Sequence, residues 1–256
     1  MKKYAVLMYN FNNYEIMREV PDCALDPDIE YIYITDDSNL KSKNWKIIID
    51  HDLDGLTPFD KCYRVRFNLF KYTNAEMILY IDGSLQLHNN PIRYFKKFEE
   101  SGKDVGLMVH PLRTNMFDEY LEWVNTRNYP KESAFKCLAY MQEHGYDVKN
   151  YKGLYQLTMR IIKRSDKNKY LDYRTFEVLS ELGENGKIER IDQTIYSYLL
   201  NTEFQNISIY IFNDSCIHNE ILVWNPHGKI GHVGYSGYNK NRSGYIRNKL
   251  TEVDIL

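Results

Sequence analysis

Asp82 closes a short apolar run, residues 77–81, and is followed by Gly83 and Ser84. A run of that length reads as a buried strand. A carboxylate at the carboxyl end of such a strand sits where open α/β sheets bind their ligands. Glycine beside it lets backbone come close to whatever the carboxylate holds; the same Asp-Gly also makes a water-facing β-turn. A second carboxylate pair, Asp36-Asp37, closes the run 29–35. Two strands ending in Asp would place carboxylates along one edge of a sheet, which says more than either motif alone. Arg64, Asn68 and Lys71 recur at i, i+4 and i+7, so they share one face if residues 60–72 form a helix. That face is either solvated or a cationic group aimed at phosphate, whose oxygens guanidinium matches well.

The elements that must position these groups alternate between strand and helix in the first half. Residues 4–9 read as the first, central strand, and Tyr9 and Asn10 lead from it into a polar-aromatic loop, Asn10-Phe11-Asn12-Asn13-Tyr14, suited to stacking on a base. Residues 45–49 resemble a third strand, and alternation at 85–87 marks a short one after Asp82. Tyr63, Phe67 and Phe70 form the apolar stripe of the predicted helix 60–72. Residues 91–100 read as a helix with Pro in its first turn, and 105–109 as a buried strand ending in His110-Pro111-Leu112-Arg113. From there the pattern predicts helices over 115–126, 131–144, 154–163, 174–182 and 192–200, with Asn185-Gly186 as a break. Strand character returns at 207–212 and 221–224. Residues 225–243 are glycine-rich and aperiodic, a loop expected to close over an active site. With no repeat and no Pro- or Ser-rich linker, the chain reads as one domain, 1–256, with 225–256 as a mobile C-terminal tail.

Composition narrows the class. A length of 256 residues suits one large α/β domain, and 43% hydrophobic with 27% charged residues is an ordinary globular profile. A formal net charge of −2 gives no reason to expect nucleic acid as a partner. The 23 tyrosines suit a sugar- or base-lined cleft and equally suit an AT-rich coding sequence. Four cysteines, Cys23, Cys62, Cys137 and Cys216, are far apart without a CxxC pair, which predicts reduced thiols rather than zinc or disulfides. The start shows no signal-peptide pattern and no run is long enough to span a membrane. The expectation is a cytoplasmic protein, with peripheral membrane association left open.

The order strand, strand-Asp, helix, strand-Asp resembles GT-A type glycosyltransferases, which carry a metal-binding DxD motif at the end of a central strand. More closely, the chain is similar to the glycosyltransferase-like family catalogued as domain of unknown function 616. The residues that carry the likeness are Thr35-Asp36-Asp37, Trp45, Tyr63-Arg64, Ile81-Asp82-Gly83, His110-Pro111 with Arg113 and Glu119, and Arg190 with Asp192-Gln193. They span roughly residues 4 to 200. One departure stands out: the second Asp of DxD is Ser84 here.

The resemblance implies a GT-A-like nucleotide-diphospho-sugar transferase fold, a mixed, mostly parallel central sheet flanked by helices. It implies transfer of a sugar from a nucleotide-sugar donor, UDP-linked by preference, to a hydroxyl of a glycan or other acceptor, as in polysaccharide biosynthesis. The implied cofactor is Mn²⁺ or Mg²⁺, held by Asp82 and a late histidine: His232 between glycines, then His227, with His218 also available. The implied donor site comprises Tyr9, Asn10, Asp36, Asp37, Arg64, Asn68, Asp82, Gly83, Ser84, His110 and Arg113, although His110 and Arg113 equally terminate a strand. Asp192 and Gln193 are the implied catalytic pair. Asp192 would be a general base in an inverting enzyme, an orienting or electrostatic group in a retaining one, or merely a first-turn helix carboxylate. Two other readings stay open: a degenerate fold acting as a carbohydrate-binding module, and a nucleotidyltransferase. The latter would carry a Gly-rich basic loop after the first strand, where this chain has Asn10-Phe11-Asn12-Asn13-Tyr14-Glu15.

Overall fold

Strands β1 (Tyr4–Asn10), β2 (Ile29–Thr35), β3 (Lys46–Ile49) and β4 (Met77–Ile81) run parallel, side by side in the order β3-β2-β1-β4. Their β-branched and aromatic content favours a pleated, packed surface. The sheet continues from β4 through β7 (Tyr155–Lys163) and β6 (Val105–Val109) to β8 (Ile209–Ile211). Only β7 runs against the others, antiparallel to both β4 and β6. The result is the expected mixed, mostly parallel seven-stranded sheet flanked by helices. This computed structural model describes residues 2–127, 129–151, 153–183, 191–212 and 222–224. The expected lid 225–243, the tail 225–256, His218, His227, His232 and Arg190 lie outside the described residues.

Alternate residues of a strand face opposite sides, and the sheet uses both. Ala5, Leu7 and Tyr9 belong to one buried cluster, Tyr4, Val6 and Met8 to the other. The first cluster is covered by α1 (Pro58–Arg66), α3 (Met116–Arg127), α4 (Lys131–Glu143), α5 (Asp166–Leu182) and α6 (Asp192–Asn201). The second is covered by α2 (Ile92–Glu100), through Tyr94, Phe95 and Phe98, and by Trp45. A two-stranded ribbon of β5 (Leu85–Leu87) and β9 (Leu222–Trp224) adds Leu85, Leu87 and Leu222 to that side. Among the described residues no helix is long and apolar enough to cross a membrane, and Cys23, Cys62 and Cys137 are free thiols.

Three boundaries differ from the sequence reading. Residues 154–163, predicted helical, form the antiparallel strand β7. Wedged between β4 and β6, it is buried on both faces, and residues 155–161 alternate apolar and polar, the strand pattern that the helical reading passed over. The helix predicted over 60–72 stops at Arg66 and is followed by a separate 3₁₀ turn, Leu69–Lys71. Helix α5 starts at Asp166 rather than 174, because Ser165 caps it by accepting from the Asn168 amide at 3.1 Å.

Strand β7 also carries Arg160, which is wholly buried. Its guanidinium meets Asp172 of α5, Nη1 to Oδ1 at 2.7 Å and Nη2 to Oδ2 at 3.3 Å, and Nη2 also donates to the backbone carbonyl of Arg66. It stacks over Phe67 and Tyr196, at 5.3 and 5.1 Å from the ring centroids. The pair thereby ties β7 and α5 to the last turn of α1. Removing one member strands the other charge in the interior. Arg160→Ala should therefore cost about 3–5 kcal/mol in urea unfolding, and Arg160→Met with Asp172→Leu should recover most of it. A single-variant loss below about 1 kcal/mol would show that the pair supports nothing.

Candidate functional site

The strand order reverses between β1 and β4: the chain builds outward from β1 to β2 and β3, then returns to place β4 on its other flank. The crevice beyond the carboxyl ends of two such strands is where open α/β sheets bind ligands. Tyr9 stands near the end of β1, Asp82 directly after β4, and Arg66 at the end of α1. Arg66 is the hub. Its Nη2 meets Asp82 Oδ1 at 2.5 Å and its Nη1 meets Asp192 Oδ2, a second carboxylate brought in by the first turn of α6. Its Nε donates to the hydroxyls of Tyr9 at 3.0 Å and Tyr80 at 3.2 Å, and Nη2 donates to Tyr80 at 2.9 Å. Tyr80 passes its own proton toward Asp82 Oδ1.

Electrostatics follow from this geometry. Burial raises the Asp82 pKa, with Asp192 adding to the rise, while Arg66 and the Tyr80 hydroxyl pull the other way and only in part offset it. Burial opposes charge on Arg66 too, but the two carboxylates hold it protonated, well above its ordinary value. Burial likewise keeps Tyr9 and Tyr80 as neutral phenols. Two carboxylates around one guanidinium make a cluster one charge negative, rigid and mostly shielded from water.

The cationic residue expected here, Arg64, is exposed and lies over the Phe176 ring at 5.3 Å. At 100° per residue, Arg64 and Arg66 project to nearly opposite sides of the helix. Asn68 follows the helix end and is exposed, and Lys71 binds Asp50 and Asp52 at 2.6 and 2.7 Å, so the three do not share a face. Arg66 sits between buried Val65 and Phe67. Arg64 likewise sits between buried Tyr63 and Val65, so neighbouring residues alone do not single Arg66 out; only the fold does.

The remaining donor-site candidates divide. Asn10 is buried, and its side chain closes the loop after β1, donating to the Glu15 carbonyl at 2.7 Å and accepting from the Glu15 amide at 2.9 Å. Asn12 and Asn13 have φ of 55° and 48°, a left-handed stretch that asparagine tolerates better than most residues. Asp36 holds that loop, accepting from the Asn12 amide at 2.8 Å and from Lys61 at 2.8 Å. Burial works against its ionisation, but those two donors prevail and its pKa is lowered. Asp37 makes a local turn with the Asn39 amide at 2.9 Å. Gly83 is close-packed against the loop rather than against a ligand: an added Cβ would lie 3.2 Å from Glu15 Cγ and 3.4 Å from the Tyr9 carbonyl. Ser84 is half-buried in the turn after β4 that the Leu85 amide closes on the Asp82 carbonyl at 2.9 Å.

His110 and Arg113 join a second network through Glu119. This buried glutamate accepts from Arg113 Nε, from Trp123 Nε1 at 2.7 Å and from Gln193 Nε2 at 2.5 Å. His110 Nδ1 accepts the amides of Leu112 at 3.3 Å and Arg113 at 3.0 Å, and its Nε2 lies 3.3 Å from Arg113 Nη2 and 3.7 Å from Glu119 Oε2. Because Gln193 follows Asp192, whose Oδ1 accepts the Gln193 amide at 3.0 Å, the two networks join at the start of α6.

A divalent cation would find one protein oxygen ready. Among the described residues no hydrogen bond reaches Asp82 Oδ2, and no three His, Cys, Asp or Glu side chains gather into a closed cage. That donor set fits Mg²⁺ or Mn²⁺ bound mainly by substrate phosphates and water, with one or two carboxylates. The expected histidine ligands, His227 and His232, lie outside the described residues.

No protein-family model matches the chain, and no curated protein matches its sequence. Among solved structures it is similar to mouse xyloside xylosyltransferase 1 in its apo form, at 11% identity and TM-score 0.47, covering 84% of this chain and 85% of that one. It is also similar to the galactosyltransferase LgtC in complex with donor and acceptor sugar analogs, at 14% identity and TM-score 0.46, covering 82% of this chain and 73% of that one. An active-site mutant of LgtC matches at 12% identity and TM-score 0.47, covering 82% and 72%.

The buried histidine gives a prediction. Burial lowers the His110 pKa to about 4, below its ordinary 6.5, although Glu119 pulls it upward. The unfolded chain then binds the extra proton first, so stability is complete above about pH 6.5 and falls as pH drops toward 4. The loss attributable to His110 should be on the order of 3 kcal/mol across that window. Urea midpoints from pH 7 to 4 should fall less steeply in His110→Gln than in the parent. Parallel curves would show that His110 is not held neutral.

Proposed function

We propose that the chain is a nucleotide-sugar-dependent glycosyltransferase, moving a sugar from a donor, UDP-linked by preference, to a hydroxyl of a glycan or other acceptor. The observation that carries this reading is the pair Asp82 and Asp192, clamped on one guanidinium at the crevice where the strand order reverses. Breaking a glycosidic bond to a diphosphate leaves positive charge on the sugar ring and negative charge on the leaving group. Carboxylate oxygens fixed beforehand favour the first without reorganising as the bond breaks. Mn²⁺ or Mg²⁺, held by Asp82 and the donor's own diphosphate, would neutralise the second as a Lewis acid.

Within this reading Asp192 orients the donor sugar and stabilises positive charge. Both its oxygens are engaged, Oδ2 by Arg66 and Oδ1 by the Gln193 amide. With both oxygens already accepting, the electrostatic role is favoured over proton abstraction. Asp82 and Ser84 face the donor from the β4 end, while Tyr9 acts through Arg66 and Gly83 through the loop it packs against. Asn10, Asp36 and Asp37 act through the loop they hold, and His110 and Arg113 through Glu119. Ser84 in place of a second carboxylate favours one other reading, a carbohydrate-binding module that holds a sugar without transferring it.

Two variants test the assignment. Asp82→Ala should abolish metal-dependent donor binding in calorimetry while the melting temperature stays near that of the parent; parental binding would remove Asp82 from the site. Asp192→Asn should weaken donor affinity and slow release of nucleoside diphosphate by roughly 10²–10³-fold. Unchanged affinity with transfer lost would instead favour the general base. Donor binding by the parent, without release under any metal condition, would favour the binding module.

A further inference from the structure

We infer that Glu119 sets the orientation of the Gln193 carboxamide, leaving its oxygen free for the donor sugar and making Glu119 a positioning residue for the site. The inference deepens the glycosyltransferase reading and rests on it for the identity of the ligand. The orientation itself follows from which groups can only donate. Trp123 Nε1–H has no acceptor capacity, and neither has Arg113 Nε–H. The first donates to Glu119 Oε1 at 2.7 Å and the second to Oε2. Glu119 is thus an acceptor ringed by donors, in a pocket where it is 1% exposed.

Only the NH₂ end of Gln193 can meet such a group, and it does, donating to Oε1 at 2.5 Å. The amide oxygen is what remains. Gln193 is half-buried, and among the described residues no donor reaches its Oε1. It follows Asp192 in the first turn of α6, so the site offers carboxylate oxygens from Asp82 and Asp192 and, beside them, an amide oxygen. Oxygens accept from sugar hydroxyls and stabilise positive charge at the anomeric carbon. An NH₂ group turned the same way would oppose that charge.

The test removes the acceptor. In Glu119→Met nothing holds the Gln193 NH₂, so its oxygen and NH₂ can exchange places toward the donor. Turnover of a nucleotide-sugar that the parent cleaves should fall by roughly tenfold or more, with KM within threefold. Adding Gln193→Glu presents an oxygen in either orientation, so the double variant should run faster than Glu119→Met. Parental turnover in the folded single variant, or no recovery in the folded double variant, would overturn the inference. One measurement needs neither activity nor a folded Glu119 variant. The side-chain NH₂ of Gln193, assigned by NMR through its loss in Gln193→Glu, should exchange slowly with solvent in the parent. Fast exchange would show that Glu119 does not hold it. A parent that cleaves no nucleotide-sugar would remove the transferase reading, while slow exchange would still establish the orientation.

Discussion

One guanidinium between two carboxylates governs this molecule. At an effective dielectric near 20, unit charges 4 Å apart interact by about 4 kcal/mol, comparable to what burying each ion costs. The net stabilisation from such a cluster is therefore small, and its consequence is geometric. Arg66 joins the last turn of α1 to the end of β4 and the first turn of α6, three segments far apart in sequence. The hydroxyls of Tyr9 and Tyr80 take up its Nε–H and a second Nη2–H, which fixes the fork in rotation as well as in place. Behind it, the buried Arg160–Asp172 pair holds the Arg66 backbone carbonyl, so the residue is anchored at both main chain and side chain.

The carboxylates inherit that order. Left alone the two would repel; burial raises the Asp82 pKa and remains the larger influence even with Arg66 present. The guanidinium and the Tyr80 hydroxyl partly offset that cost at Oδ1 and leave Oδ2 without a partner among the described residues. On the far side, Glu119 does for an uncharged residue what Arg66 does for the charged ones. Both networks orient oxygens in advance of any ligand. Pre-orientation of that kind is what a site needs if it is to favour charge that develops only as a bond breaks.

Much of this was legible in the chain. Apolar runs ending in Asp36-Asp37 and Asp82 placed two carboxylates at one edge of a parallel sheet, because a run of that length has few ways to be buried other than as a strand. Other parts were hidden for physical reasons. Strand β7 alternates apolar and polar over residues 155–161, but its polar positions Gln156 and Arg160 are buried as well, so the pattern does not report its burial on both faces. Arg66 was passed over for Arg64 because periodicity identifies a polar face, whereas the site uses a cation on the packed side. Glu119 looks like any acidic residue in a helix first turn, where the dipole favours it. Only the fold shows it turned inward to Gln193, 74 positions away.

The account stands on Arg66 organising the donor site, and Arg66→Met addresses it directly. Nucleoside diphosphate release would be measured for the parent and the variant with UDP-, GDP-, dTDP- and CDP-sugars, with and without Mn²⁺. The account predicts release by the parent from at least one donor, and none above background by the folded variant. Release by Arg66→Met at the parental rate would contradict it, because the carboxylates would then be shown to work without the guanidinium that joins them.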